Sequence, residues 1–242
     1  MKRLDDVLGY PNLKIYQDSN FFSFSLDSVI LANYCTLRLR DKKIVDFCTG
    51  NGIVPLIVSK RTSNLIVGVE LQKKLFSLAC DSISYNNLGD RINIVCSDIK
   101  DYSINHIDEF DVVLCNPPYF KVNDKNYFNL SYEKMVARHE VFLDLSSLCI
   151  CAKKVLKEHG SFCIIHRSDR LMDILFEFRK VNIEPKRIKF IYNSIDKEST
   201  LVLVEGQKMG KPGLKIDKPL ILYNLDGTIT SEYSMLQKEV CK

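Results

Sequence analysis

Two stretches of this sequence combine residue types that perform chemistry with a spacing that gathers them. The first is Asn116-Pro117-Pro118-Tyr119-Phe120, directly after an apolar run. Consecutive prolines continue neither strand nor helix, and they fix an extended backbone whose carbonyls stay free to accept hydrogen bonds. An amide precedes them and an aromatic ring follows. The side-chain oxygen of Asn116 and the carbonyl of Pro117 can accept the two hydrogens of a planar amino group, while Tyr119 offers a stacking face. With its hydrogens held, a conjugated nitrogen can pyramidalise and aim its lone pair at an electrophile. Such a site needs position and electrostatics rather than a general base at the outset. His106, His159 and His166 are isolated and read as surface or packing residues.

The second stretch is Asp46-Phe47-Cys48-Thr49-Gly50-Asn51-Gly52, with Glu70 lying 24 residues after Asp46 and Asp98 beyond it. Glycines at a strand-to-helix turn let backbone approach a ligand closely. The third glycine of the dinucleotide fingerprint is missing and no Gly-Lys-Ser/Thr follows, so the turn suits a ligand without phosphates. Glu70, ending a strand, can accept hydrogen bonds from both hydroxyls of a ribose, and Asp98 is a further acid after the next strand. Either acid alone could be a helix cap. Three acids at consecutive strand ends point instead to one ligand site.

These residues must be held by a sheet. Apolar, β-branched runs predict strands at Lys43–Phe47, Leu65–Glu70, Ile92–Cys96, Phe110–Cys115 and 161–166, alternating with helical periods at about 53–61, 72–86, 141–158 and 168–180. That alternation implies parallel pairing with right-handed crossovers. Runs at 188–192 and 200–205 have no room for a helix between them and predict an antiparallel pair, and a last strand falls at Leu220–Tyr223. The expected fold is α/β, a doubly wound, mostly parallel seven-stranded sheet with an antiparallel strand near the C-terminus. Residues 1–242 read as a single domain, with an N-terminal extension (1–42), a core (43–206) and a C-terminal basic loop and strand (207–242).

Composition is that of a globular protein, 46% hydrophobic and 26% charged. No apolar run approaches the roughly 20 residues of a membrane span, and residues 1–10 carry no apolar core behind their basic residues, so no signal peptide and a cytoplasmic location are expected. The nine cysteines are odd in number and lack the two-residue gap of zinc or redox pairs; most fall in apolar runs, as small hydrophobes do in a reducing compartment. No metal site and no obligate protein partner are expected. The formal net charge of +4 permits a nucleic-acid partner without requiring one.

The turn at Asp46–Gly52, with Glu70 and Asp98, resembles the class I methyltransferases that use S-adenosylmethionine. The resemblance implies Asp46, Gly50 and Gly52 near the methionine moiety, Glu70 on the ribose and Asp98 near the adenine amine. The chain departs from that pattern at Cys48, where glycine is usual, and a turn needing positive φ there would be strained. The Asn116–Tyr119 motif resembles that of methyltransferases acting on amines conjugated to a π system, in adenine, cytosine or the amide of glutamine. Protein-glutamine methyltransferases carry a large helical domain before the cofactor site, for which this chain lacks room; DNA methyltransferases generally carry a target-recognition region, also missing. Together with Arg3–Asp6, Phe24–Leu31 and Ala137-Arg138-His139-Glu140, the motif is similar to the bacterial tRNA-valine (adenine-N6)-methyltransferase family, nearly end to end. That implies catalytic roles for Asn116, Pro117 and Tyr119, S-adenosylmethionine as cofactor and a tRNA anticodon stem-loop as partner, the methylated adenine lying next to the anticodon of tRNA-Val. Another amine, in ribosomal RNA or protein glutamine, and an inactive RNA-binding protein of the same fold stand as alternatives.

RNA contacts are expected from Lys208 and Lys211 in a glycine-proline loop, and from Arg138 and His139 after a polar, aromatic-rich segment beside Tyr119.

Overall fold

The computed structural model describes residues 1–19, 21, 24–118 and 143–238. The sheet is built from β3 (Lys43–Phe47), β4 (Leu65–Glu70), β5 (Ile92–Cys96), β6 (Phe110–Cys115), β7 (Leu156–Arg167), β8 (Ile183–Ser194) and β9 (Ser199–Lys208). Two short strands, β10 (Lys215–Ile216) and β11 (Leu220–Tyr223), both lie parallel to β8 and widen the sheet from the expected seven strands to nine. The order is β10-β8-β9-β7-β6-β3-β4-β5, with β11 also on β8. Among these strands β9 alone runs antiparallel to its neighbours, β7 and β8. The mostly parallel sheet with one late antiparallel strand is therefore as expected.

Side chains alternate across the sheet with period two, and both faces are covered, which is why the central strands read as unbroken apolar runs. Ile44, Val112, Leu114, Cys163 and Ile165 enter one core; Val45, Phe47, Val113, Cys115, Phe162 and Ile164 enter the other. The first core is closed by α2 (Ile53–Val58), α3 (Lys73–Tyr85) and the N-terminal region. The second is closed by α4 (Ile99–Asn105), α5 (Leu145–Val155) and α6 (Leu171–Lys180). A helix expected over 141–158 is shorter because Leu156 already pairs with Phe110 as the first residue of β7; residues 141 and 142 lie outside the described residues.

The region before β3 has its own structure, which periodicity alone did not reveal. A hairpin, β1 (Lys2–Val7) and β2 (Tyr10–Asp18), turns at Gly9 (φ 80°), and α1 (Leu26–Tyr34) follows. Val7, Leu13, Ile15, Val29, Ile30 and Leu31 are buried in the first core with the sheet. The hairpin is tied down by Ser82 Oγ and Asn86 Oδ1, which accept from the backbone of Tyr16 and Lys14 at 3.0 Å each. A last helix, α7 (Ser231–Lys238), adds Tyr233 and Leu236 to the same face. Among the described residues no helix is long and apolar enough to cross a membrane.

Candidate active site

Strand pairing decides which acids meet. Asp46 is paired with Gly68 on one side and Leu114 on the other. Glu70 lies two residues beyond Gly68, and Asn116 two beyond Leu114, so period two sends all three toward one face. Glu70 pairs with Cys96, and Asp98 lies two residues further on. Asp98, Glu70, Asp46 and Asn116 thus stand in that order along the carboxyl edges of four adjacent strands, an arc of roughly 14 Å at ordinary strand spacing. Carboxyl edges are where open α/β sheets hold ligands.

Asp46 is 1% exposed. Neither of its carboxylate oxygens has a hydrogen-bond partner of normal geometry among the described residues, nor does the nearby Thr49 hydroxyl. Burial pushes the Asp46 carboxyl up to about 8, against the moderating Thr49 hydroxyl and reinforced by the Glu70 charge. An unpartnered buried carboxyl costs on the order of a few kcal/mol, which a cationic ligand group would offset. At Gly68, the strand partner of Asp46, a Cβ would stand 2.9 Å from the Thr49 side chain and 2.8 Å from Ile94, so that position has room only for glycine.

The turn after β3 uses three residues at positive φ: Cys48 (58°), Gly50 (59°) and Gly52 (87°). The departure at Cys48 therefore falls where a side chain is strained, at about 1–2 kcal/mol for a non-glycine residue. The Cys48 thiol lies beside buried Cys115, whose pKa is pushed well above the ordinary thiol value by burial first and by Cys48 second. Among the described residues nothing stands within 4 Å of where a Cβ at Gly50 would be. Asn51 is buried and donates from Nδ2 to the Tyr16 carbonyl at 3.2 Å, pinning the turn to β2.

Glu70 does more than face a ligand. Its Oε2 accepts from Gly50 N and its Oε1 from Gln72 N, both at 2.9 Å. It is a strut between the glycine turn and the start of α3, and burial raises its pKa while these N–H groups oppose the rise. Asp98 caps α4, Oδ1 accepting from Lys100 N at 2.8 Å. The capping role considered from sequence is real for Asp98, and both acids still lie on the arc.

Asn116 follows β6, with Pro117 buried behind it. Its Nδ2 donates to Ser28 Oγ at 2.8 Å, and Ser28 is a buried residue in the first turn of α1. The helix that covers the first core thus holds the nitrogen end of the amide. Ser28, Thr49 and Gly68 were not singled out from sequence; the signal for Ser28, a hydroxyl on an otherwise apolar helix, gains meaning only once α1 is placed over β6.

Tyr119, Arg138 and His139 lie outside the described residues. Lys208 requires a correction. It is the last residue of β9, not part of an exposed loop, and its buried ammonium donates to Asp108 Oδ1 and the Leu156 carbonyl, both at 2.5 Å. Because β9 is antiparallel, it carries the chain back to the amino edge of the parallel strands. Lys208 is therefore five residues, about 17 Å, along β9 from the level of Asn116, toward the amino edge. Lys211 is exposed, and its carbonyl accepts from Lys186 Nζ at 2.9 Å. The basic run at 186–189 is likewise internal in part: Arg187 bonds Asp217 and Thr36, and Lys189 is buried against Glu232.

A family model described as the methyltransferase small domain matches residues 12–191, from β2 into β8. The chain belongs to the methyltransferase small domain family. It is 22% identical over 237 residues to a tRNA1(Val) (adenine(37)-N6)-methyltransferase of Flavobacterium psychrophilum, covering 96% of this chain and 97% of that protein. A protein of the same name from Escherichia coli (strain SE11) is 29% identical over 126 residues, 51% of this chain and 50% of that protein. Among solved structures, a predicted O-methyltransferase from Agrobacterium tumefaciens superposes with a TM-score of 0.68 at 17% identity, over 87% of this chain and 95% of that one. The M. jannaschii TYW2 protein in complex with AdoMet gives 0.58 at 14% identity, over 85% of both chains. These structural likenesses show the fold. The methyltransferase family is an enzyme family, and the arc lies within the matched span.

Proposed function

We propose that this methyltransferase transfers a methyl group from S-adenosylmethionine to the exocyclic N6 amine of an adenine in tRNA, in the anticodon loop next to the anticodon of tRNA-Val. The observation that carries the reading is the arc itself, with a buried, unpartnered Asp46 carboxyl at one step and the Ser28-held amide of Asn116 at the next. S-adenosylmethionine fits this donor set: it is cationic at sulfur and at its amino group and carries no phosphate, and the arc offers the carboxyl groups of Asp46, Glu70 and Asp98. Asp46 and the Gly50–Gly52 backbone would hold the methionine end, Glu70 the ribose and Asp98 the base. When bound, the cofactor supplies a methyl group already activated as a sulfonium.

The chain's part in the reaction is then positional. Asn116 and the Pro117 carbonyl accept the two N6 hydrogens and draw the nitrogen lone pair out of conjugation, and Tyr119 stacks on the adenine. The methylated nitrogen becomes acidic only after transfer, so its proton can leave to water. The near full-length likeness to a protein named for adenine 37 of tRNA1(Val) supports the substrate over ribosomal RNA or protein glutamine. An anticodon-loop adenine is also the cheapest kind to unstack. The test is incubation with labelled S-adenosylmethionine and total RNA, followed by nucleoside analysis. Label in N6-methyladenosine of tRNA-Val is expected; label in protein glutamine refutes the substrate, and label in ribosomal RNA refutes the tRNA assignment while leaving the chemistry.

A further inference from the structure

We infer that the loop joining α1 to β3 (residues 35–42) is an RNA-docking surface that grips phosphates of the substrate away from the reacting base. This rests on the proposed RNA substrate and goes beyond it. The loop is rigidly built. Asp41 is buried and its Oδ2 accepts from Arg38 N at 2.6 Å; Asp111 Oδ2 accepts from both Lys42 N and Lys43 N at 2.9 Å. Thr36 N donates to Glu205 at 3.0 Å, its hydroxyl accepts from Arg187 at 2.8 Å, and Asn64 donates to the Asp41 carbonyl.

Every one of these anchors uses backbone, a hydroxyl or an acid. The side chains of Arg38, Arg40 and Lys42 have no hydrogen-bond or ion-pair partner among the described residues. Arg40 and Lys42 are exposed, and Leu39 between the arginines is 100% exposed. Of the acids nearby, Asp108 is paired with Lys208, Glu109 with Lys43 and Asp111 with Lys157, so the three cations of the loop face only its own buried Asp41, which is held by a backbone N–H. At the carboxyl edge, among the described residues, Arg167 and Arg170 are paired with Asp169 and Asp173. Unpaired cations on a preordered loop bind a polyanion with little ordering cost. Lys42, the last residue of the loop, lies four residues before Asp46 along β3, about 13 Å, within the span of a stem whose loop enters the active site.

The experiment replaces Arg38, Arg40 and Lys42 together by alanine and measures binding to unfractionated tRNA across a salt series. The anchors use main-chain groups of these residues, so the variant should melt like the wild type. Affinity near 0.1 M salt should fall about tenfold or more, and the slope of log affinity against log salt should flatten by about 2 to 3. The KM for tRNA should rise with kcat at saturating tRNA retained, and S-adenosylmethionine binding should not change. Normal wild-type binding with an unaltered slope in the variant overturns the docking surface alone. A wild type with no salt-dependent tRNA binding overturns the RNA reading and the docking surface together. If the variant instead loses affinity for phosphatidylserine vesicles while its tRNA slope is unchanged, the loop is a membrane contact and the inference fails.

Discussion

Ser28 reaches the site through its bond to Asn116, which makes its removal an informative perturbation. The 2.8 Å bond from Asn116 Nδ2 is a neutral amide–hydroxyl contact, whose net contribution is about 0.5–1.5 kcal/mol. Its larger effect is orientational. An amide that turns over presents a donor where the N6 hydrogens require an acceptor. Losing such an acceptor altogether costs about 2.7–4 kcal/mol in the transition state, so Asn116→Ala should lower kcat by on the order of 100-fold or more. Ser28→Ala leaves the oxygen present but unfixed and should lie between, at about 1–2 kcal/mol, or roughly 5- to 30-fold in kcat. Cofactor affinity should be unaffected in both, and Ser28→Thr should restore most of the rate. The decisive assay is single-turnover methylation by the two single variants and the double variant. If Ser28 acts through Asn116, Ser28→Ala costs nothing further once Asn116 is alanine. Equal penalties in both backgrounds would refute the positioning role, and near-normal turnover by Asn116→Ala would remove the amide from the mechanism altogether.

Asp46, Glu70 and Cys48 each give a further test. Asp46 holds its proton to about pH 8 in the free protein, and a cationic ligand favours the ionised form. Cofactor binding at pH 7 should therefore release close to one proton, with affinity rising from pH 6.5 and levelling above 8; calorimetry in buffers of different ionisation enthalpy that shows no release would sink this. The same raised pKa makes Asp46 a stabilising group while protonated, so its contribution to stability is lost as pH rises from the ordinary carboxylate range toward 8. Glu70→Ala should weaken cofactor binding by about 1.5–3 kcal/mol and also lower the melting temperature, because Gly50 N and Gln72 N lose their acceptor; unchanged affinity in a folded variant would leave Glu70 as a strut only. Cys48→Gly should leave stability within about 1 kcal/mol of wild type, while Cys48→Val should destabilise by about 2 kcal/mol or more, since a β-branched residue is an outlier at positive φ. Thermal or urea melts that rank the two the other way would show that the turn is not held in this conformation.

Strands β3 to β6 could be placed residue for residue because each is a short, β-branched apolar run bounded by turn signals, too short for a helix, whereas β7 begins five residues before its expected start. Asp46, Glu70 and Asp98 were accessible for the same reason: each marks the carboxyl end of such a strand. What sequence could not supply was contact across elements. Periodicity places Lys208 after a β-run but does not say which edge of the sheet that run ends on; only the antiparallel pairing of β9 with β7 sends it to the far side. Nor does it distinguish an exposed lysine from one whose stem crosses the edge to reach Asp108, 100 residues earlier. The hairpin was invisible for a different reason. β1 carries Lys2, Arg3, Asp5 and Asp6 and is exposed along most of its length, so it lacks the apolar signature of the strands that follow.

That overlooked region changes how the site is built. The glycine turn is pinned by the Tyr16 carbonyl of β2 through Asn51, and the Asn116 amide by Ser28 of α1. One contact lies on the proposed cofactor half of the arc and the other on the proposed substrate half. Both come from the residues before β3, which the sheet itself does not require for its strand order. The same segment then leaves the active edge along α1 and delivers the pinned, cationic loop to the opposite edge. A chain of about forty residues therefore orients the turn, fixes the acceptor amide and presents the unpaired charge. On this geometry the N-terminal region is a working part of the methyltransferase, and the sheet is the frame that holds it in place.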